Sequence, residues 1–319
     1  MASHKRHGIV FRVIGVALIL SIYSFFPVIG LYFKRVPEPY KNEDVIKKLG
    51  SNKDAYFSFI VLSDTSSGCF AMESSSLKLI SRMNREDRFK KVPIDCAINI
   101  GDVTFRGKEK HYKSYSKIRG LIKYPVLTAI GNHDDDLDNG PKGMELFNRY
   151  CGEAEFSFSN RNAYFIFLDN KNSNLSQDQF EWFRVELSKA KAFSHTFVFM
   201  HKPPFNPYQQ SWYRIETCPW SYKFMKMCQE NGVTAVFSGH EYIHRVVDFG
   251  GVKYFVSGGG GALLHEAPSW DNASLHYFVI KVNGDYIDYE IRKVFPPLWL
   301  YFTFYFWKDL IYFGRDLLN

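Results

Sequence analysis

The chain has 319 residues, 46% of them hydrophobic and 23% charged, a balance that excludes a disordered protein and allows a substantial buried core. A formal net charge of +7 suits anionic partners such as phosphates, acidic lipid head groups or nucleic acid, and does not choose among them. The five cysteines are scattered, odd in number and lack C-x-x-C spacing, which argues against a disulfide framework or a thiolate zinc knuckle and for buried free thiols.

Residues 1–12 form a basic tail carrying Lys5, Arg6 and Arg12. Val13 to Phe33 carries no charge and, at ~1.5 Å per residue, is long enough for a helix to cross a ~30 Å hydrocarbon core. The run exceeds a signal-peptide core and no small-x-small cleavage site follows it, so a single membrane anchor is expected over 13–33. Lys34 and Arg35 balance Arg6 and Arg12, which leaves the side of the membrane open. Residues 34–55 are polar, contain Pro37 and Pro39, and read as a linker.

From 56 to 292, apolar β-like runs alternate with helix-like segments, which predicts an α/β domain with its active groups on loops at strand ends. The runs end at Leu62, Ile100, Ile130, Leu168, Met200, Phe237 and Val256. Helices are expected over Ser74–Asn84, Lys110–Ile122, Lys142–Tyr150, Gln177–Ala190 and Ser221–Asn231, the fourth announced by a capping box at Ser176 and Gln179. Beyond Arg245, closely spaced β-like runs (Arg245–Phe249, Val252–Ser257, Leu275–Val282, Tyr286–Arg292) predict mainly antiparallel pairing. In the tail, 293–319, Val294 to Trp307 is free of charge and dense in aromatics, too short for a second span. Aromatic side chains favour the head-group zone, so the tail is expected to lie in the plane of a membrane.

Five of the β-like runs deliver metal-competent groups at their ends. These are Asp64; Gly101-Asp102 with Arg106 and Gly107; Gly131-Asn132-His133-Asp134; His201 before Pro203-Pro204; and Gly239-His240-Glu241-Tyr242. Mixed Asp, Asn and His ligation without thiolates suits a divalent ion such as Mn, Fe, Zn or Mg. Such ions clamp a phosphoryl group and lower the pKa of a bound water, and a free imidazole beside them can protonate a departing alkoxide.

As a set, these stretches resemble the calcineurin-like metallophosphoesterases, and Ser257 to Ala262, a glycine run, resembles their purple-acid-phosphatase-like branch. The resemblance implies a four-layer α/β/β/α sandwich, here with an N-terminal transmembrane helix and an aromatic C-terminal tail added. It further implies Asp102 as a bridging ligand, Asn132, His201 and His240 completing one metal site, and Asp64 in the other. His133 would be the leaving-group acid and Arg106 a phosphate contact. Three positions depart from the family pattern: Ser66 and Tyr242 stand where histidines are usual, and Phe105 where an aspartate often orients the catalytic imidazole. The first two fall on one metal site. That leaves one tight site with a weak second ion on Asp64, Asp102 and water, or a ferric-type site using Tyr242 as phenolate, or one recruiting His244. Asp134 or Asp135 is then the nearest carboxylate to orient His133.

The function expected is a membrane-anchored, metal-dependent hydrolase of a phosphomonoester, phosphodiester or pyrophosphate on a small-molecule or lipid-linked substrate. The alternative is a degenerate fold that binds metal or phosphate without turnover. A nucleic-acid phosphodiesterase is disfavoured, because the basic residues are spread along the chain. Two glycosylation triplets, at Asn174 and Asn272, matter only if the domain is lumenal or extracellular. Oligomeric state is not encoded in any motif.

Overall fold

A computed structural model of the chain describes residues 27, 29–49, 55–86, 93–135, 142–208, 219–261 and 274–297. The helices are α1 (Asn42–Leu49), α2 (Phe70–Met83), α3 (Glu109–Arg119), α4 (Lys142–Tyr150), α5 (Gln177–Ala190) and α6 (Pro219–Glu230). The strands are β1 (Tyr56–Leu62), β2 (Ile94–Ile100), β3 (Val126–Ala129), β4 (Phe156–Asn160), β5 (Ala163–Phe167), β6 (His195–Phe199) and β7 (Ala235–Ser238). They continue as β8 (His244–Phe249), β9 (Val252–Ser257), β10 (Leu275–Asn283) and β11 (Tyr286–Val294). One sheet has the order β11-β10-β1-β2-β3, the other β4-β5-β6-β7-β9-β8. In the first, β1, β2 and β3 are parallel, β10 pairs antiparallel with β1 and β11 antiparallel with β10; in the second, β5, β6, β7 and β9 are parallel and β4 and β8 close the edges antiparallel.

The central strands are apolar on both faces because both faces are covered. Along β1, Phe57, Phe59 and Val61 point between the sheets, while Ile60 and Leu62 meet the helical layer of α2 and α3. Along β6, Phe197 and Phe199 face the first sheet and Val198 meets α5 and α6. The interface between sheets is built from phenylalanine: Phe59 meets Phe197 at 5.2 Å, Phe165 at 5.7 Å and Phe237 at 5.9 Å between ring centroids, all edge-on. Helix, sheet, sheet and helix are thus stacked in that order.

Helices α4 and α5 have the bounds expected, and both halves of the Ser176–Gln179 capping box are present. Helix α2 starts at Phe70, ahead of the expected Ser74, because Glu73 in its first turn reaches back to accept the Gly68 N–H at 2.7 Å. Strand β4 escaped the sequence reading because its Phe-Ser alternation is that of an edge strand with one wet face. The polar stretch 34–55 is not simply a linker: it contains α1, whose Asn42 accepts from Thr128 N (2.8 Å) and donates to Thr128 O (2.9 Å). That side chain satisfies the open edge of β3 as a neighbouring strand would. At the other end, Lys293 and Val294 belong to β11 rather than to the tail.

No helix among the described residues is long and apolar enough to cross a membrane. Most of the expected anchor lies outside the described residues, as does the tail beyond residue 297. Residues 29–33 are helical, and Leu31 is buried in the core beneath α2 and α3. Cys69, Cys96, Cys151 and Cys228 are free thiols.

Candidate metal centre

The ends of β1, β2, β3, β6 and β7 meet at one edge of the sandwich. Asp64 N donates to Gly101 O at 3.0 Å and Gly239 N to His201 O at 2.8 Å, so the loops continue the strand order past the sheets. Two glycines permit this closeness. A Cβ on Gly131 would meet Asp102 N at 2.2 Å and Oδ1 at 2.3 Å, and one on Gly239 would meet Ser63 Oγ at 1.9 Å. Of the six non-glycine residues with positive φ among the described residues, four belong to these loops: Asp64 (60°), Ser66 (46°), Asp102 (49°) and His240 (66°). Left-handed backbone at an L-residue costs roughly 1–2 kcal/mol. Here it turns each chain sharply enough to aim the side chain into the cleft, strain of the kind that collects at functional sites.

Asp102, His201 and His240 each offer a ligand atom within 4.8 Å of the others, and they are the sole group of three or more His, Cys, Asp or Glu of this kind among the described residues. His201 Nε2 lies 3.2 Å from Asp102 Oδ2, with both side chains buried. On the other side of its ring, Nδ1 donates to Ile100 O at 2.8 Å, the arrangement that directs the Nε2 lone pair into the site. Asp64 lies alongside, its Oδ2 accepting from His240 N at 3.0 Å. Asp64 Oδ1 and Asn132 Oδ1 are buried with no hydrogen-bond partner, a cost of about 1–3 kcal/mol each unless something else satisfies them. A cation would. The donor set of carboxylate, amide oxygen and imidazole fits a divalent ion.

The electrostatics point the same way. Burial, reinforced by the Asp102 carboxylate, pushes Asp64 up to about 7. Burial opposes a charged His201, yet Asp102 and Asp64 hold its imidazolium up at about 9. Burial and the neighbouring His201 push His240 down to about 4. Two buried carboxylates are left sharing one proton-bearing imidazole where a metal charge would serve both.

His133 and Asp102 are coupled through the backbone: His133 N donates to Asp102 Oδ1 at 2.8 Å, and His133 Nε2 lies 4.0 Å from Asp102 Oδ2. The orienting partner of His133 is not the expected carboxylate. Its Nδ1 meets the main-chain oxygen of Phe105 at 3.0 Å, so the residue that replaced the aspartate still supplies an acceptor. Asp134 is instead buried and ties the two loops together, accepting from Thr104 N (2.8 Å), Gly131 N (2.9 Å) and Val103 N (3.2 Å). Asp135 lies 3.8 Å from Lys171. Arg106 is exposed, its guanidinium 5.5 Å from the Phe105 ring centroid.

The departures from the family pattern also have places. Ser66 is buried and donates its N–H to Asp102 O at 2.9 Å, so it serves the loop framework. Tyr242 packs on the apolar cluster of α2 and β10, and burial, with Asp64 and Asp102, raises its hydroxyl well above the usual phenol value, which favours the neutral phenol. His244 opens β8 with its ring edge-on to His276 at 5.3 Å. Asn170, just past β5, went unnoticed in the sequence. Fully buried, its Oδ1 accepts from His201 N (2.9 Å) and Lys202 N (3.0 Å) and its Nδ2 donates to Lys202 O (2.7 Å). An apolar run closing on Leu168-Asp169-Asn170, like the runs that end in ligands, was the available signal.

The sequence profile of the Calcineurin-like phosphoesterase family matches residues 57–244, which span every strand end just described. The chain belongs to that family. It is a family of phosphoric ester hydrolases that use divalent metal ions. Among curated proteins, the glycerophosphodiester phosphodiesterase GpdQ of Enterobacter lignolyticus (strain SCF1) is 27% identical over 128 residues, which cover 34% of this chain and 42% of GpdQ. Among solved structures, purple acid phosphatase PPD1 from yellow lupin (Lupinus luteus) matches with a TM-score of 0.59 at 15% identity, covering 80% of this chain and 53% of that one. GAP50, described as the anchor in the inner membrane complex of Plasmodium, matches with a TM-score of 0.55 at 14% identity, covering 75% of this chain and 85% of that one. The chain thus spans less than half of GpdQ and about half of the lupin enzyme, and the two structural likenesses speak to the fold alone.

Proposed function

We propose that the chain is a membrane-anchored metallophosphoesterase that hydrolyses a phosphomonoester, phosphodiester or pyrophosphate bond, on a substrate linked to lipid or held close to the membrane. The observation that carries the catalytic part is the convergence of Asp102, His201 and His240 with their ligand atoms within 4.8 Å, beside His133. Asp102, Asn132, His201 and His240 would hold one ion tightly, and Asp64 with Asp102 a second one weakly. The metal, when bound, supplies a Lewis acid for the phosphoryl oxygens and a water of lowered pKa.

The protein's own groups do the rest. His133 stands at the cleft with its side chain 45% exposed, and Phe105 O holds its Nδ1, so Nε2 is the atom that delivers a proton to the leaving oxygen. Lys202, next to His201 and within the field of Asp102, provides a cation for the phosphate, and Arg106 offers another from the loop above. Asn170 and Asp134 fix the loops that carry these groups. Anchoring is supported by the charge-free run from Val13 and the aromatic run from Val294.

A second reading, a metal- or phosphate-binding protein without turnover, is favoured by Ser66 and Tyr242 and by the fold shared with GAP50. The two separate in one experiment on the full chain supplied with Mn²⁺. Metal content is counted, and hydrolysis of aryl phosphate mono- and diesters and of a lipid pyrophosphate is measured, with His133→Ala beside the parent. An active parent and an inactive variant that still binds metal support the enzyme. Tight metal binding with no hydrolysis of any of these esters supports the second reading.

A further inference from the structure

Both ends of the described domain arrive at the same helix. On the N-terminal side, the Arg119 guanidinium lies 3.9 Å from the Tyr40 ring centroid and Pro37 lies beside Gly120, at the far end of α3 from the metal centre. Followed backwards from there, the chain climbs α3. Lys117 Nζ donates to Tyr32 O at 3.1 Å, and the Tyr32 side chain lies beside Glu73 and Cys69 at the start of α2. On the C-terminal side, β11 ends at Val294 opposite Leu275. That is the metal-centre end of the first sheet, since the neighbouring His276 N donates to Gly259 O and Gly260 N donates to Ser63 O, next to Asp64. The chain then folds onto α2, where Lys78 Nζ donates to Pro296 O at 3.2 Å and sits 5.9 Å from the Phe295 ring centroid. Glu73 and Lys78 are five residues apart on one helix, about 7.5 Å along its axis. Leu31 and Val294 are buried in one cluster with Leu79, Ile80 and Met83 of α2.

What surrounds these two exits is apolar and basic. Ile29, Tyr32, Phe33 and Phe295 are exposed, Phe33 by 85%. Lys34, Arg35, Lys78 and Lys293 are exposed beside them in structure or sequence. The chain that continues past each exit carries no charge from Val13 to Phe26 and from Leu298 to Trp307. Exposed aromatics rimmed by cations, next in sequence to an uncharged segment at either end, match the chemistry of an anionic bilayer surface: apolar rings in the head-group zone and ammonium groups at the phosphates. An aqueous protein partner would leave both uncharged segments in water.

We infer that the surface laid over α2 by residues 29–35 and 293–295, with Lys78 and Ser81 of the helix itself, is the membrane-docking face of the domain and that the metal centre opens at the rim of that contact. The inference rests on the anchored reading given above and adds an orientation to it. The loop 64–69, which carries Asp64 and Ser66, runs straight into α2, and its Gly68 N–H is held by the same Glu73 that Tyr32 lies beside. A phosphate in the head-group layer of the same bilayer would therefore reach the metal centre without leaving the membrane. The sandwich's other helical layer, α5 and α6, covers the second sheet and so lies on the opposite side of the domain from α2.

The test places a fluorophore by amber suppression at Ser81 on α2 or at Ser188 on α5, both exposed, in the otherwise unaltered full chain. Each protein is reconstituted with phosphatidylcholine–phosphatidylserine vesicles bearing a head-group-linked acceptor dye. The expected result is strong energy transfer from position 81 and weak transfer from position 188. Equal transfer, or stronger transfer from 188, on vesicle-bound protein overturns the orientation and leaves anchoring intact. Failure of either protein to associate with vesicles overturns the anchored reading itself. Concentration-dependent transfer between donor- and acceptor-labelled proteins at position 81 without vesicles reassigns the face to a second copy of the chain and overturns the inference.

Discussion

Asn170 gives the sharpest check on how the centre is held, because its side chain ties down the peptides on either side of the His201 side chain's anchor point. Asn170→Ala deletes three hydrogen bonds to the peptides of His201 and Lys202, at 2.9 Å (His201 N), 3.0 Å (Lys202 N) and 2.7 Å (Lys202 O), besides a weak one to Met200 Sδ. At a net ~1 kcal/mol each the loss is about 3 kcal/mol. It does not relax away easily, since His201 is fully buried and its N–H has no water to turn to. For a domain of this size that corresponds to a fall in melting temperature of roughly 6–12 °C. Metal affinity should fall as well. His201 needs its main chain fixed to hold Nδ1 on Ile100 O and Nε2 toward Asp102, and removing such outer support typically costs about 10–100-fold. Asn170→Asp keeps the acceptor for both N–H groups but loses the donations to Lys202 O and Met200 Sδ and sets a buried carboxylate oxygen against that carbonyl, so it should stay less stable than the parent. The assays are thermal unfolding of the metal-free protein and Mn²⁺ titration by calorimetry. An alanine variant that melts with the parent and binds Mn²⁺ equally well would refute the reasoning.

Metal uptake should depend on pH in a defined sense. The metal-free fold holds His201 up at about 9, above the ordinary value, so its stabilisation is complete below about 6.5 and is lost as pH rises through 9. Mn²⁺ must displace that proton, so affinity should climb about tenfold per pH unit between pH 7 and 9; calorimetry showing a flat affinity there would contradict the assignment. Phe105→Ala retains the main-chain oxygen that holds His133 Nδ1, so turnover per bound metal should be retained; a loss as large as that of His133→Ala would show that the ring itself positions the imidazole. Asn42→Ala leaves Thr128 N and O on the edge of β3 unpaired and should cost about 2–3 kcal/mol in urea unfolding, whereas a free linker would show no change.

The strand ends were legible in the sequence because each central strand is buried on both faces. An uninterrupted apolar run that stops at Gly, Asp or His leaves little doubt where the sheet ends, and β1 and β2 end at the expected Leu62 and Ile100. The ligand candidates followed from that edge. What resisted reading were features decided by partners distant in sequence. Asn42 looks like a loop residue until its partner 86 residues away, Thr128, is seen to have no strand beside it. Asn170 has the same character, since its value lies in the peptide of His201 and Lys202. The partner of His133 is a main-chain carbonyl, which a sequence does not display as it displays carboxylate side chains.

The division of the metal centre into a kept half and an altered half is spatial as well as chemical. Asn132, His201 and His240 lie on the loops after β3, β6 and β7, on frameworks closed by Asn170 and Asp134. The altered positions border the other wall. Ser66 stands in the loop that enters α2, and Tyr242 packs on the cluster that also takes in Leu31, Leu275 and Val294, where both ends of the domain are seated. A histidine at 242 would put a polar ring against that apolar layer, where burial disfavours it unless a metal repays the desolvation. A tyrosine buries its ring there at no such cost, provided its hydroxyl finds a partner. The wall with the altered positions is therefore the wall that carries the chain ends, where a tyrosine at 242 suits the packing better than a metal-free histidine would. The Asp102 backbone is held from the altered side by Ser66 N, so the altered loop still supports a member of the Asp102, His201 and His240 cluster.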